Sequence, residues 1–333
     1  MQDSSRSAGH RGKEVFFVTL PRDRLIVALD VPSVDDAKTI IDKLGDSVGV
    51  YKIGLELLFS GGFALVHELA QAGRSVFVDA KLLDIEATIE RATETIAQSG
   101  AAFLTVHTMD RKTIAAAVRG RGDAPLKLLG VTVLTNLSRA DLAEHGIDEA
   151  PLAVVQRRAM MSRDGGFDGI IASAQEARAL RERLRQSLIV TPGIRQAGED
   201  TQDQTRVMTP AAAIKAGADY LVVGRPITRA PDPRKAAEAI AEEIASALSQ
   251  RTSLRFEQAR ELVGVALDQH LLCPRLAALR HFYGRGRHFQ PCRDEPLQRF
   301  VGAALLRQRP HAGFRRQSRR RNSRYPRSRR ARI

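Results

Sequence analysis

Between Arg24 and Pro231 the chain repeats one pattern eight times: a short apolar run rich in β-branched residues, followed by a longer stretch with helical spacing. The runs are Leu25–Val31, Val48–Gly54, Ser75–Ala80, Phe103–Thr108, Leu126–Thr135, Gly169–Ser173, Leu188–Pro192 and Tyr220–Gly224. Several are apolar on both faces, as strands of a buried parallel sheet are. Ser33 is placed to cap a helix that runs through Leu44, and Thr209-Pro210 opens an Ala-rich helix ending near Gly217. Eight strands with eight crossovers predict an α/β fold, a (β/α)8 TIM barrel, and residues 22–250 have the size that fold requires. An open doubly wound sheet has fewer strands and a Gly-rich first turn, whereas the turn here is Asp30-Val31-Pro32-Ser33.

The net charge of +14 resembles a nucleic-acid signal until its position is considered. From Arg251 to Ile333 there are 21 Arg, no Lys and 5 acidic residues, a balance of +16, so the first 250 residues carry −2. We therefore expect an N-terminal extension at 1–21, a mildly acidic barrel domain at 22–250, and a basic, Arg-rich C-terminal extension at 251–333. The extension lacks apolar periodicity from Arg315 onward and is expected to be disordered, with a helical patch at Phe256–Leu267. No recognisable nucleic-acid reading module accompanies it, so nucleic acid is not the expected partner. Polyanion binding by the tail, or an unselected tail sequence, are the two readings of it.

No apolar run approaches the roughly 20 residues of a membrane span, and the short N-terminal apolar stretch after Arg11 and Lys13 lacks a cleavage site. We expect a cytoplasmic protein. The two cysteines, Cys273 and Cys292, form neither a redox motif nor a metal pair.

In a barrel the reacting groups sit where the strands end. Asp30 closes the first run, Lys52 lies near the end of the second, Asp79, Lys81 and Asp84 close the third, and His107 closes the fourth. Thr135 and Asn136 end the fifth, Arg195 follows the seventh, and Gly224-Arg225 the eighth. Residues two apart on a strand share a face, so Asp79 and Lys81 point the same way, and Lys52 and Asp84 can complete an alternating Lys, Asp, Lys, Asp array. Such an array could be an ordinary ion-pair network. It could equally press a carboxylate against a substrate carboxylate while an ammonium stabilises and protonates the carbanion left when CO2 departs. Lysines held among carboxylates stay protonated, which argues against a Schiff base on Lys81.

Arg195 and Arg225, with Gly193 and Gly224 beside them and Gln204 in a loop between, sit where barrels of this kind bind phosphate. Asp30 either caps the first helix or binds ribose hydroxyls. His107 reads as a structural histidine. No second His or Cys stands at ligand spacing, so neither a metal nor a cofactor is expected.

The run Asp79-Ala80-Lys81-Leu82-Leu83-Asp84-Ile85-Glu86-Ala87-Thr88 resembles the Asp-x-Lys-x-x-Asp-Ile-x-x-Thr signature of the orotidine 5'-phosphate decarboxylases. Leu25–Asp30, Tyr51–Gly54, Val131–Thr135, Val190–Arg195, Asp203-Gln204 and Val223–Ile227 look like that family's other blocks, in order, over about residues 22–248. The resemblance implies decarboxylation of orotidine 5'-phosphate to UMP and CO2 without a cofactor, in pyrimidine nucleotide biosynthesis. It implies Lys81 as proton donor to C6, Asp79 as the carboxylate crowding that of the substrate, and Lys52 as the group that orients Asp79 and touches the ribose. It further implies a homodimer in which Asp84 and Thr88 reach the neighbouring site. Asp30 would hold ribose, Thr135 the pyrimidine, and Arg195, Gln204, Gly224 and Arg225 the phosphate. Asn136 stands where many relatives have Ser. The nearest rival is a sugar-phosphate decarboxylase or aldolase-like enzyme of the same barrel superfamily, which is metal-dependent. Those enzymes place a carboxylate where Lys52 stands here, although Glu56 is close by.

Overall fold

Strand residues alternate between two faces, and in this chain both faces are buried, each in a different core. The computed structural model describes residues 20–195 and 208–268, with side chains to residue 253. Residues 1–19 and 269–333, which hold most of both expected extensions, and Gln204 lie outside the described residues. The chain divides into two units, 1–254 and 255–333, and the barrel lies in the first.

The strands are β1 (Leu25–Ala28), β2 (Val50–Gly54), β3 (Ser75–Leu82), β4 (Phe103–His107), β5 (Lys127–Val131), β6 (Gly169–Ile171), β7 (Leu188–Thr191) and β8 (Tyr220–Val223). They close in sequence order, every neighbouring pair is parallel, and β8 pairs back onto β1. The helices are α1 (Val34–Leu44), α2 (Leu55–Leu57), α3 (Phe63–Gln71), α4 (Glu86–Gln98), α5 (Arg111–Arg121), α6 (Arg139–Glu144), α7 (Pro151–Asp164), α8 (Ala174–Arg183), α9 (Pro210–Ala216), α10 (Arg225–Thr228) and α11 (Pro233–Asp268). This is the (β/α)8 architecture that the alternation in the sequence predicts. Ser33 caps α1 by accepting from the Asp36 N–H at 3.1 Å, and Thr209 caps α9 by accepting from Ala212 at 3.3 Å.

Alternation sorts the strand residues into the two cores. Leu25, Val27, Tyr51, Ile53, Val76 and Val78 face outward and pack with helix residues such as Ala37, Leu44, Leu65 and Ile89. Ile26, Val50, Phe77, Phe103, Leu129 and Val190 face inward and fill the barrel. Phe103 lies edge-on to Phe77 at 6.0 Å and to Tyr220 at 5.3 Å between ring centroids, so an aromatic layer closes the lumen. The barrel is therefore a packed plug whose next layer up carries the polar residues.

All eight strands differ by at least one residue from their apolar runs in the sequence, and the differences at β5 and β3 bear on the site. β5 stops at Val131, not Thr135, because Val131 pairs with Ile171, the last residue of short β6, and beyond it no ladder partner remains. Thr135 consequently sits in the turn closed by the Leu137 N–H donating to the Leu134 carbonyl at 3.0 Å. β3 runs two residues past Ala80, and its register against β4 shifts between Val78 and Leu82. The helical patch at 256–267 falls within α11, which buries Ala237, Ile240, Ile244 and Ala247 earlier along its length.

Candidate active site

Extending each inward-facing plug residue by two positions leads to the site. From Ile26 the inward face continues to Ala28 and Asp30, from Val50 to Lys52 and Gly54, from Phe77 to Asp79 and Lys81, and from Phe103 to Thr105 and His107. On the far side it continues from Leu129 to Val131 and Val133, from Val190 to Pro192, and from Val222 to Gly224. Except for Thr105 and His107, all of these added residues line one cavity of about 660 Å³ at the C-terminal ends of the strands.

One wall of the cavity is a chain of alternating charges. Lys52 Nζ lies 2.8 Å from Asp30 Oδ1 and 3.3 Å from Asp79 Oδ2, and Lys81 Nζ lies 2.9 Å from Asp79 Oδ1. Burial alone would push the Asp79 carboxyl up, but the Lys52 and Lys81 ammonium groups, with hydrogen bonds from Lys81 and Thr105, hold it below the usual carboxylate range. Burial would likewise lower Lys52, and Asp79 and Asp30 more than offset it, so its pKa is raised. Asp79 is thus a fixed anion and Lys52 a fixed cation near neutral pH. Asp30 is more open to solvent, with 56% of its side chain exposed, which leaves it accessible to a ligand's hydroxyls.

The backbone at this point is unusual. Lys81 has φ 46°, the one left-handed non-glycine residue among the described residues, and it falls within the register shift between β3 and β4. At this position the Lys81 ammonium meets Asp79 Oδ1. Gly54 supplies the space beside it: a Cβ there would lie 2.8 Å from Asp30 Oδ1 and 3.0 Å from Lys52 Nζ.

The opposite end of the cavity is lined by Pro192, Gly193, Arg195, Gly224, Arg225, Thr228 and Arg229, from the ends of β7 and β8. Gly193 has φ 77°, a conformation that favours glycine. Arg195 is buried and donates to the Ile194 carbonyl at 3.2 Å. Thr135 lines the cavity from the β5 side, while Asn136 next to it is exposed.

Asp30, Lys52, Asp79, Lys81, Thr135, Arg195, Gly224 and Arg225 therefore share one cavity. Asp84 and Thr88 do not line it: Asp84 is exposed, with its Oδ1 accepting from the Ile85 N–H at 2.6 Å, and Thr88 lies on α4. His107 lies on the same inward face outside the lining. Burial, together with Lys81 and Arg158, lowers its pKa, so the imidazole is neutral near pH 7. Glu56 lies exposed on α2, also outside the lining. Thr105 and Arg229 were not singled out in the sequence. The two-residue step up from Phe103 marks Thr105, and proximity to Gly224-Arg225 marks Arg229.

Fold and site together define a (β/α)8-barrel enzyme whose strand mouths hold an alternating Lys/Asp array facing an arginine-lined end. The family model described as "Orotidine 5'-phosphate decarboxylase / HUMPS family" matches residues 23–240, and the chain belongs to that family. It is 54% identical over 227 residues to the orotidine 5'-phosphate decarboxylase of Rhodopseudomonas palustris (strain HaA2), covering 68% of this chain and 96% of that protein. It is 52% identical over 231 residues to the enzyme of the same name from Methylobacterium nodulans, covering 68% and 98%. Among solved structures it resembles orotidine 5'-phosphate decarboxylase from Lactobacillus acidophilus, with a TM-score of 0.60, 36% identity, and coverage of 66% of this chain and 98% of that one. A conserved protein from Geobacillus kaustophilus gives a TM-score of 0.57 at 31% identity, covering 66% and 99%.

Proposed function

We propose that this chain decarboxylates orotidine 5'-phosphate to UMP and CO2, with Asp79, Lys81 and Lys52 as the reacting and orienting groups. The observation that carries this reading is the buried Asp79 carboxylate, held as an anion between two ammonium groups on the wall of a cavity open to a ligand. A substrate carboxylate set against Asp79 meets like charge, which raises the ground state. The C6–carboxylate bond breaks heterolytically, CO2 leaves, and the electron pair stays on C6 beside the Lys81 ammonium. Lys81 then transfers a proton from Nζ to C6, and the resulting amine regains a proton from solvent. This sequence calls for no electron sink beyond the ring and the ammonium group, so neither metal nor cofactor has a step in it.

At the other end Arg195 and Arg225 supply guanidinium donors for the phosphate, with Gly224 leaving the backbone open; Gln204, outside the described residues, is assigned to the phosphate on the sequence resemblance alone. Asp30 binds ribose hydroxyls, Lys52 orients Asp79 and touches the ribose, and Thr135 holds the pyrimidine end. The working unit is a homodimer, and Asp84 and Thr88 serve the partner subunit's site. In support, Leu83 and Ile85, the apolar residues that flank Asp84, are 51% and 72% exposed, as residues that a second copy covers would be. No described helix is long and apolar enough to cross a membrane, and we place the enzyme in the cytoplasm.

The decisive experiment follows loss of orotidine 5'-phosphate absorbance without added cofactor, in wild type and Lys81→Ala. Turnover by wild type and a loss of several orders of magnitude in the variant are expected. Undiminished turnover in Lys81→Ala would remove Lys81 from the reaction.

A further inference from the structure

We propose that Thr105 is a positioning residue for the decarboxylation assigned above, its hydroxyl locking Asp79 and Lys81 into one arrangement. Thr105 is fully buried on β4, one inward step above Phe103. Its Oγ1 accepts the Lys81 N–H at 3.0 Å and donates to Asp79 Oδ1 at 2.9 Å. The first bond holds the backbone of Lys81, whose left-handed φ at the register shift has no ladder to keep it in place. The second binds the same carboxylate oxygen that meets the Lys81 ammonium, so carboxylate, ammonium and hydroxyl close a ring through residues 79, 81 and 105. Because the hydroxyl has one proton and gives it to Asp79, the contact favours the ionised carboxylate.

The groups facing Asp79 are Lys52 from β2, Lys81 from β3 and Thr105 from β4; Asp30 on the β1 side reaches it through Lys52, and His107 on β4 faces Lys81. Of these, Thr105 alone is uncharged and fully buried, so it can be changed without adding or removing a charge.

The test compares wild type, Thr105→Val and Thr105→Ser. Valine keeps the shape and loses both bonds; serine keeps the hydroxyl. For Thr105→Val, kcat should fall about ten- to a hundredfold, the range for a hydrogen bond to a charged group. KM should change less than kcat, and the acid limb of the pH profile should move to higher pH. Thr105→Ser should recover most of the activity. Titration of 13C-labelled aspartate carboxyls should show Asp79 protonating at higher pH in Thr105→Val than in Thr105→Ser. Should the valine variant fail to fold, Thr105→Ala carries the same comparison. An unchanged kcat and an unmoved Asp79 titration in Thr105→Val would overturn the proposal, as would a folded Thr105→Ser as impaired as the valine variant. If the wild type does not turn over orotidine 5'-phosphate, the assigned reaction falls, and the carboxyl titration still decides the role of Thr105.

Discussion

Lys52 Nζ lies 3.3 Å from Asp79 Oδ2, although the β2–β3 ladder pairs Lys52 with Phe77 and Asp79 with Gly54. The contact is diagonal, and it exists because the residue directly opposite Asp79 has no side chain. Lys52 leans along its strand into the space above Gly54 and there also meets Asp30 at 2.8 Å.

Gly54→Ala should therefore injure the site and spare the fold. The added Cβ meets the tips of two flexible side chains, Asp30 Oδ1 and Lys52 Nζ, which can turn aside while the barrel stays intact. Displacing charged groups by around 1 Å costs up to about a hundredfold in rate. We expect kcat/KM to fall at least tenfold with the melting temperature almost unchanged. Wild-type kinetics in Gly54→Ala would show that the Lys52 contacts can be rearranged without consequence.

The pH dependence of stability follows from the two buried charges. The folded pKa of Asp79 is depressed, so its contribution is fully present above the unfolded carboxylate range near pH 4 and is lost as pH falls below it. That of Lys52 is raised, so its contribution is present below its ordinary value of 10.5 and is lost as pH rises through the higher folded value. Urea midpoints measured against pH should decline at both extremes. In Asp79→Asn the acid decline should be shallower; equal steepness in the two proteins would deny Asp79 that role.

Shared sites predict complementation between subunits. Asp84→Ala and Lys81→Ala should each be inactive alone, and mixing them should regenerate about one working site per heterodimer, because one site then receives both intact residues. Mass spectrometry of the mixture identifies the heterodimers. Heterodimers that form and remain inactive would place Asp84 outside the partner's site.

The barrel's contacts continue past Gln250. The Arg251 guanidinium donates to the carbonyls of Ile214 at 3.2 Å and Ala218 at 3.4 Å, around the end of α9. A chain ending at Asp268 should thus be more stable than one ending at Gln250 by about 1 kcal/mol, with equal kcat. Calorimetry and kinetics on the two truncations check this. A loss of turnover in the longer truncation product would make residues beyond 268 part of the working enzyme.

Exhaustive chelation should leave turnover unchanged, since the oxygens of Asp79 are already engaged by ammonium groups and a hydroxyl. Among the described residues no three His, Cys, Asp or Glu side chains converge as a ligand set. Activity lost on chelation and restored by Mg2+ would move the enzyme toward the metal-dependent decarboxylases of this superfamily.

The barrel was legible because its information is local and periodic. Apolar runs separated by helical spacing specify eight βα units, and Ser33 and Thr209 mark helix starts through bonds made within three residues. Asp79 and Lys81 were legible as candidate neighbours, since residues two apart on a regular strand share a face, but the left-handed backbone at Lys81 shows that alternation alone does not set how they meet. What a neighbouring strand supplies was harder to see. Thr135 belongs to a turn because β6 is short, and the site role of Thr105 depends on the register between β3 and β4, to which an isolated β4 pattern contains no reference.

The amino-acid order by itself determined which residues face inward and that charges of both signs would meet at the strand ends, because side-chain alternation is a property of one chain segment. Only the tertiary structure decided who meets whom. The left-handed turn at Lys81, the diagonal reach of Lys52 over Gly54, and the hydroxyl of Thr105 between residues 79 and 81 depend on the offset of adjacent strands in a closed barrel. Closure sets that offset through all eight strands at once, and no single segment encodes it.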